Sequence, residues 1–396
     1  MRRGGRRVPL AGSQTTGERH PVKHFPLALA AGILAAALGA PAYSSEDAPP
    51  PASAATDLSG AHDFDFWIGE WRVQHRRLKE RLAGNHDWIA FDGTATTRAA
   101  LGGMANVDDS LFNLPGHPYR GVGVAAYDAK TGQWSTWGLD GRDPFAELDP
   151  PARGRFDHGV GTFYADDTFE GKPIRVRFVW THATPKTAHF EQAFSPDDGK
   201  TWETNWISDF QRVEPAAASA STAAAHAAAE VAAAVPAGDL SGLHAFDDRM
   251  GEWRVHHRRL KERLAGSHEW VEFDGRQSGY KTMDGWGNAI ENDFDMPGGA
   301  YSGLTIRAYD ARTGLWAIWW LDGRDPSGAL DPPMKGRFDK GVGTFYADDT
   351  FKGKPIRVRF TWTQVTARSG HWEQAYSPDA GKTWETNWIS DFQRVE

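Results

Sequence analysis

The stretch "DLSGAHDFDF" at Asp57 returns as "DLSGLHAFDD" at Asp239, and the two copies then run in constant register, 182 positions apart, to Glu214 and Glu396. No gap interrupts either copy. Each is 158 residues long, a domain length rather than that of a solenoid repeat or a propeller blade. Whatever one copy folds into, the chain must build twice. Between the copies, residues 215–238 read "PAAASASTAAAHAAAEVAAAVPAG", an Ala-rich linker whose composition suits a transient helix and a semi-flexible spacer alike.

Within a copy the periodicity is that of strands. "WRVQHRRL", "WIAFDGTAT", "GVGVAAYD", "WSTWGLD", "TFYADDTF", "IRVRFVWTH", "HFEQAFS" and "WETNWISDF" alternate or cluster β-formers. "DAKTGQ", "DHGVG", "FEGKP" and "SPDDGK" supply the turns between them. "RRLKERLAG" at Arg76 is the one window that also fits a helical stripe. Closely spaced strands with short turns predict an antiparallel meander, and closure into a barrel removes its exposed edges. Trp71, Val73 and His75 share one face of the first strand; Ile174, Val176, Phe178 and Trp180 share one face of a later strand, with Arg175 and Arg177 opposite. Trp202, Thr204, Trp206, Ser208 and Phe210 share another, assigned to the core, which leaves Asn205 and Asp209 outside or under a loop.

The N-terminus has the order of an export signal. A basic stretch from Arg2 to Lys23 precedes "FPLALAAGILAAALG", and "APA" at Ala40–Ala42 offers a small-x-small cleavage pattern. We therefore expect residues 1–42 to be a signal peptide and 43–56 a disordered spacer, in an exported, periplasmic or extracellular protein. The apolar run is short and broken by glycine, so no stable membrane span is expected after cleavage. The chain carries a formal charge of −8. Arg2, Arg3, Arg6, Arg7, Arg19 and Lys23 against Glu18 give the leader +5, which leaves the rest at −13, since −8 − 5 = −13. An acidic body with no dense Lys/Arg segment argues against nucleic acid as a partner. Cysteine is absent, which excludes disulfides, thiolate nucleophiles, Cys-ligated metals and a lipidated cysteine.

Two motifs carry resemblances. "SPDDGKTWETNW" at Ser195 and "SPDAGKTWETNW" at Ser377 fit S-x-D-x-G-x-T-W, a spelling that resembles the Asp box of sialidase-type propellers. Propeller blades repeat roughly every 40–50 residues, whereas this box occurs once per 158-residue copy. No propeller follows. The expected role is local: Asp197 and Asp379 accept turn N–H groups, Gly199 and Gly381 take the corner, and Trp202 and Trp384 pack beneath. "FDFWIGEWRV" at Phe64, with "WGLDGRDP", "GVGTFYADDTF" and "FEQAFSPDDGKTWETNW", resembles an uncharacterised bacterial family of calycin-like (lipocalin-type) domains, in which a G-x-W on the first strand plugs the barrel base. The resemblance covers nearly all of both copies. It implies an all-β chain of two tandem antiparallel up-and-down barrels and carries no established reaction. The second copy departs at the plug, where Phe66 and Trp67 become Asp248 and Arg249 while Gly251 and Trp253 remain.

The densest chemistry is "LDGRDP", which places Asp140, Arg142 and Asp143 together, and Asp322, Arg324 and Asp325 in the second copy. Carboxylates flanking an arginine can hold a polar ligand, or with Asp149 serve as acid and base. The same cluster can simply clamp a loop. With Trp71, His75 and Trp137, and their counterparts Trp253, His257 and Trp319, these residues form the candidate ligand site. Trp137, Trp319 and Trp320 are the tryptophans whose exposure would mark a surface platform. Haem held through His189 or His371 is a minor alternative, and no cofactor is expected; no matched H-x-H or H-x-x-x-H pair suggests a metal. No G-x-S-x-G or Gly-rich phosphate loop occurs. The expected function is binding of an unidentified small molecule in the barrel pockets rather than catalysis. The alternatives are an enzyme using the LDGRDP carboxylates and a carbohydrate- or protein-binding surface module.

Overall fold

The structure, a computed structural model, describes residues 57–395 except Glu147, Asp149, 215–237, Ala329 and Asp331. The expected signal peptide, the spacer, nearly all of the linker and the candidate Asp149 lie outside the described residues.

Each copy is a closed antiparallel barrel of ten strands. The first begins with β1 (Gly69–Leu78), β2 (Trp88–Ala100), β3 (Ala105–Phe112), β4 (Tyr119–Asp128) and β5 (Gln133–Asp140). It continues with β6 (Ala152–Asp157), β7 (Val160–Phe169), β8 (Lys172–Thr184), β9 (Thr187–Ser195) and β10 (Glu203–Arg212). The second opens with β11 (Gly251–Leu260), β12 (Trp270–Thr282), β13 (Gly287–Phe294), β14 (Tyr301–Asp310) and β15 (Leu315–Asp322). It closes with β16 (Met334–Asp339), β17 (Val342–Phe351), β18 (Lys354–Thr363), β19 (Ser369–Ser377) and β20 (Glu385–Arg394). Sequential strands pair throughout, and the first strand of each barrel pairs with the last, setting His75 opposite Ser208 and His257 opposite Ser390. The tandem all-β architecture is the one expected, and two ten-stranded meanders fit a calycin-like arrangement. "RRLKERLAG" forms no helix: it leaves β1 at Leu78 and continues as bends. Among the described residues no helix is long and apolar enough to cross a membrane.

The base of each barrel is stoppered by its G-x-W strand. The Trp71 indole donates to Trp67 O at 2.9 Å, and the Arg212 guanidinium lies 4.2 Å over its ring. Arg212 also donates to Ile68 O at 2.6 Å and to Phe66 O, so the last strand ties down the turn that precedes the first. Arg394 repeats this over Trp253. Trp71, Val73 and His75 point inward and are buried. Arg175 and Arg177 point outward, where Arg177 stacks 4.5 Å over Trp202. Trp202 therefore leaves the assigned core face. A bulge between Thr204 and Trp206 shifts the register and turns Asn205 inward, fully buried and accepting a bond from Gln192 at 2.8 Å.

The two barrels share one apolar cluster. Val107, Val122 and Trp137 of the first pack with Ala289, Leu304 and Trp319 of the second. Polar contacts along this seam come in reciprocal pairs. Met283 N donates to Asp109 at 2.9 Å and Gly102 N to Glu291 at 3.3 Å. Arg153 donates to Ser327 O at 2.7 Å and Lys335 to Phe145 O at 3.3 Å. Lys130 donates to Arg324 O at 2.9 Å, and Arg312 to Asp143 at 2.8 Å. Exchanging the copies maps Arg153–Ser327 onto Lys335–Phe145 and the other pairs onto each other to within one residue, which is the pattern of a two-fold, isologous interface. Tips at Leu101 and Met283, with φ of 51° and 50°, meet Gly323 and Gly141. A Cβ at Gly141 would lie 2.6 Å from Arg120 O and 3.2 Å from Met283 Sδ, so the glycine of LDGRDP makes room for the neighbouring barrel.

Candidate functional site

The lumen of the second barrel holds a cavity of about 180 Å³. Its walls are largely aromatic, with Phe294, Trp362, Trp372, Trp388 and Phe392 among them, and His257, Gln277, Asn292, Thr305 and Arg307 add polar groups. Inward alternation on β12, β13 and β14 places Gln277, Asn292, Thr305 and Arg307 there, while Leu304 and Ile306 between them face the seam.

The polar groups form a chain. Arg249 Nη2 donates to Gln277 Oε1 at 2.8 Å, Gln277 Nε2 to Asn292 Oδ1 at 2.8 Å, and Asn292 Nδ2 to Thr305 Oγ1 at 3.2 Å. His257 Nδ1 lies 2.8 Å from Ser390 Oγ and accepts from Trp388 Nε1 at 3.3 Å, so its ring proton is on Nε2. Burial depresses its pKa to about 3, and the ring is neutral. His75 repeats the arrangement with Ser208 and Trp206 and is depressed to about 4 by the same cause.

Two guanidiniums at the closed end lack a counter-charge. Arg249 is 0% exposed and lies 3.9 Å over Trp253, 4.1 Å over Phe392 and 5.1 Å over Trp362. Arg307 lies 4.3 Å over Phe246 and donates Nη1 to Asn288 Oδ1 at 3.2 Å. Arg249 Nε and Nη1 and Arg307 Nε have no hydrogen-bond partner. Burial pulls both down to about 9, with the Arg307 charge lowering Arg249 further.

The first barrel builds the same positions differently. Trp67, Ala95, Ser110, Gly123 and Ala125 stand where the second has Arg249, Gln277, Asn292, Thr305 and Arg307. Trp67 stacks on Trp71 at 5.3 Å and meets Phe210 edge-to-face at 4.6 Å, so its indole fills the place the Arg249 guanidinium takes. The first lumen carries an acid instead. Asp108, where the second barrel has Ile290, accepts from Thr97 at 3.2 Å and Ser110 at 2.8 Å. Burial pushes it up to about 7.

The residues singled out from sequence separate into four places. Trp71 and Trp253 floor the barrels, and His75 and His257 sit in the lumens. Trp137 and Trp319 are 6% and 2% exposed in the seam rather than on a free surface, while Trp320 packs 6.1 Å from Phe294 of the cavity wall. Arg142 clasps Asp140 at 2.9 and 2.5 Å and stacks 3.8 Å over Tyr119. Arg324 does the same with Asp322 over Tyr301, at 3.9 Å. Asp143 pairs with Arg312 across the seam, and Asp325 O caps Gly328 N at 3.2 Å. The LDGRDP loops thus lie at the open ends and against the seam, outside the cavity lining.

His189 and His371 are on the outer face. Each ring is held by two carboxylates, His189 by Asp209 at 2.7 Å and Glu191 at 3.2 Å, His371 by Asp391 at 2.6 Å and Glu373 at 3.1 Å. Burial lowers their pKa, but the carboxylate bonds outweigh it and the net shift is upward. Among the described residues no cluster of three His, Cys, Asp or Glu could hold a metal ion. In the turn motif Asp197 accepts from Thr201 N at 2.8 Å and Thr201 Oγ1 at 2.7 Å, and Gly199 N donates to Ser195 Oγ at 2.7 Å. Asp379 and Gly381 repeat it with Thr383 and Ser377.

Sequence reasoning did not single out Arg307, Gln277 or Asp108, and took Arg249 only as a departure from the plug. Setting one copy against the other would have found them, since each is a charged or polar residue facing an apolar or small one.

No protein-family model and no curated protein matches the sequence. Among solved structures, the chain is similar to a protein of unknown function from the DUF3598 family of Nostoc punctiforme, at 11% identity and a TM-score of 0.25, covering 85% of this chain and 99% of that one. It is also similar to an S-type phycobiliprotein lyase from Guillardia theta, at 11% identity and a TM-score of 0.28, covering 39% of this chain and 92% of that one. Likenesses of this size carry no functional weight. The barrels rest on the chain's own strand pairing.

Proposed function

We propose that this chain is an exported, calycin-like protein that binds a small molecule in the lumen of its second barrel. The observation that carries the proposal is the cavity of about 180 Å³, walled by aromatic side chains around a few convergent polar groups, which is the usual make-up of a small-ligand site. A volume of this size is that of about six waters, so the ligand is compact. Two alternatives have less behind them. Acid–base chemistry at LDGRDP would need free carboxylates, yet Asp140 and Asp322 are clasped by their own arginines and Asp143 by Arg312. A surface aromatic platform would need bare rings, yet Arg177 and Arg359 cover Trp202 and Trp384 at 4.5 and 4.4 Å.

Native against denaturing mass spectrometry, followed by a small-molecule screen on tryptophan fluorescence, tests this. One equivalent of a small molecule should bind, be released on denaturation, and be lost in Thr305→Phe, which fills the lumen. Undiminished binding in that variant, or no binder from the screen, would overturn the proposal.

A further inference from the structure

The ligand's chemical class follows from the two arginines at the bottom of the cavity, an inference that rests on the lumen being the binding site. We infer that the second barrel takes a small organic carboxylate head-down, its anionic group on Arg307 and its apolar body between the aromatic walls.

The fold does not need these arginines. The first barrel closes with the same strand order around Trp67 and Ala125. In the second barrel the exchange to Arg249 and Arg307 puts two buried cations into a largely aromatic space. A guanidinium taken out of water without a counter-ion is strongly disfavoured, and stacking on aromatic rings offsets only part of that. Arg307 lines the cavity and retains an unpartnered Nε, so part of its donor fork is unused. Arg249 stands behind it, on the same Trp362 ring, and reaches the cavity through Gln277. A planar fork of N–H donors matches a carboxylate. The cavity volume sets the body at an aryl ring or a short chain.

Isothermal titration of the whole chain with benzoate, phenylacetate and hexanoate, against benzyl alcohol and hexanol, tests the inference. The carboxylates should bind 1:1 and the alcohols far more weakly. Arg307→Ala, which installs the first barrel's residue, should weaken the carboxylates by about 100-fold or more and leave the alcohols unchanged. Arg307→Lys, which keeps the charge and loses the fork, should fall between. Arg249→Trp, again the first barrel's residue, supplies a second variant with the fold preserved and should also weaken the carboxylates. Equal binding of carboxylates and alcohols, insensitive to these variants, would overturn the carboxylate and leave the lumen as the site. Binding of neither kind, in a wild-type chain that binds other compounds in the lumen, would likewise overturn the carboxylate alone. Failure of every compound would overturn both.

Discussion

Asp108 and Ile290 occupy the same place on equivalent strands, and the exchange makes the first lumen acidic where the second is basic. The acid should be visible in stability. An unfolded aspartate ionises at about 3.9, whereas burial holds Asp108 at about 7. Between those values the native state keeps a proton that the unfolded state has lost. The Asp108 contribution therefore falls as pH rises from about 4 to about 7, by at most about 4 kcal/mol, and is level above. His75 and His257 act in the opposite sense below about pH 6.5, because burial depresses both and the unfolded chain binds the extra protons. Asp108→Asn isolates the acid. Urea denaturation should find the variant close to wild type at pH 4 and more stable at pH 8; the same difference at both would rule out a buried acid. Little of this was legible in the sequence. "ANVDDSLF" places polar Asn106, Asp108 and Ser110 inward and apolar Val107 and Leu111 outward, the reverse of the usual order, because its outer face meets another barrel rather than water. Arg249 and Arg307 were hidden for a related reason. Their surroundings, Phe246, Trp362 and Phe392, come from distant strands, so no local window shows that they are buried.

The hairpin between β9 and β10 shows what local chemistry can make legible. Its signature lies within eight residues, and the bonds to Asp197 and Asp379 are those the spacing predicts. Bonds from Thr201 N and Oγ1, and from Thr383 N and Oγ1, hold both carboxylates down at about 2. The contribution of such a group is complete above about pH 4 and is lost as pH falls through about 2. Asp379→Ala should speed hydrogen exchange at the Thr383 amide and lower the melting temperature, with ligand binding in the lumen unchanged. Unaltered protection at Thr383 would count against the motif as the organiser of this turn. The other strands grade by how much of their pattern is their own. Eight of the ten strands in a copy could be read from alternation. β3 was concealed by its inverted faces, and β6 by its six residues "ARGRFD". The bulge that carries Trp202 outward was equally hidden, because nothing in "WETNWISDF" marks where the pleat gains a residue.

At the scale of the molecule, the seam gives LDGRDP a role its residues alone could not reveal. The clasped Asp–Arg pair stiffens each loop, the glycine admits the other barrel's Met283 or Leu101, and Asp143 reaches Arg312. Contacts that repeat under exchange of the copies are what two identical subunits would make, and a duplicated chain can form them within itself. The linker then only raises the effective concentration of one barrel at the other, and the apolar seam should hold without it. A protease site placed within residues 215–237 tests this. After cleavage the two fragments should elute together on gel filtration, at low ionic strength and at 1 M sodium chloride alike, since buried Val122, Leu304 and Trp319 are insensitive to the screening that weakens exposed ion pairs. Leu304→Glu, which sets an unpaired carboxylate in the seam, should let the cleaved fragments separate while the uncut chain still folds. Wild-type fragments that part at micromolar concentration would show that the linker, and not the seam, keeps the barrels together.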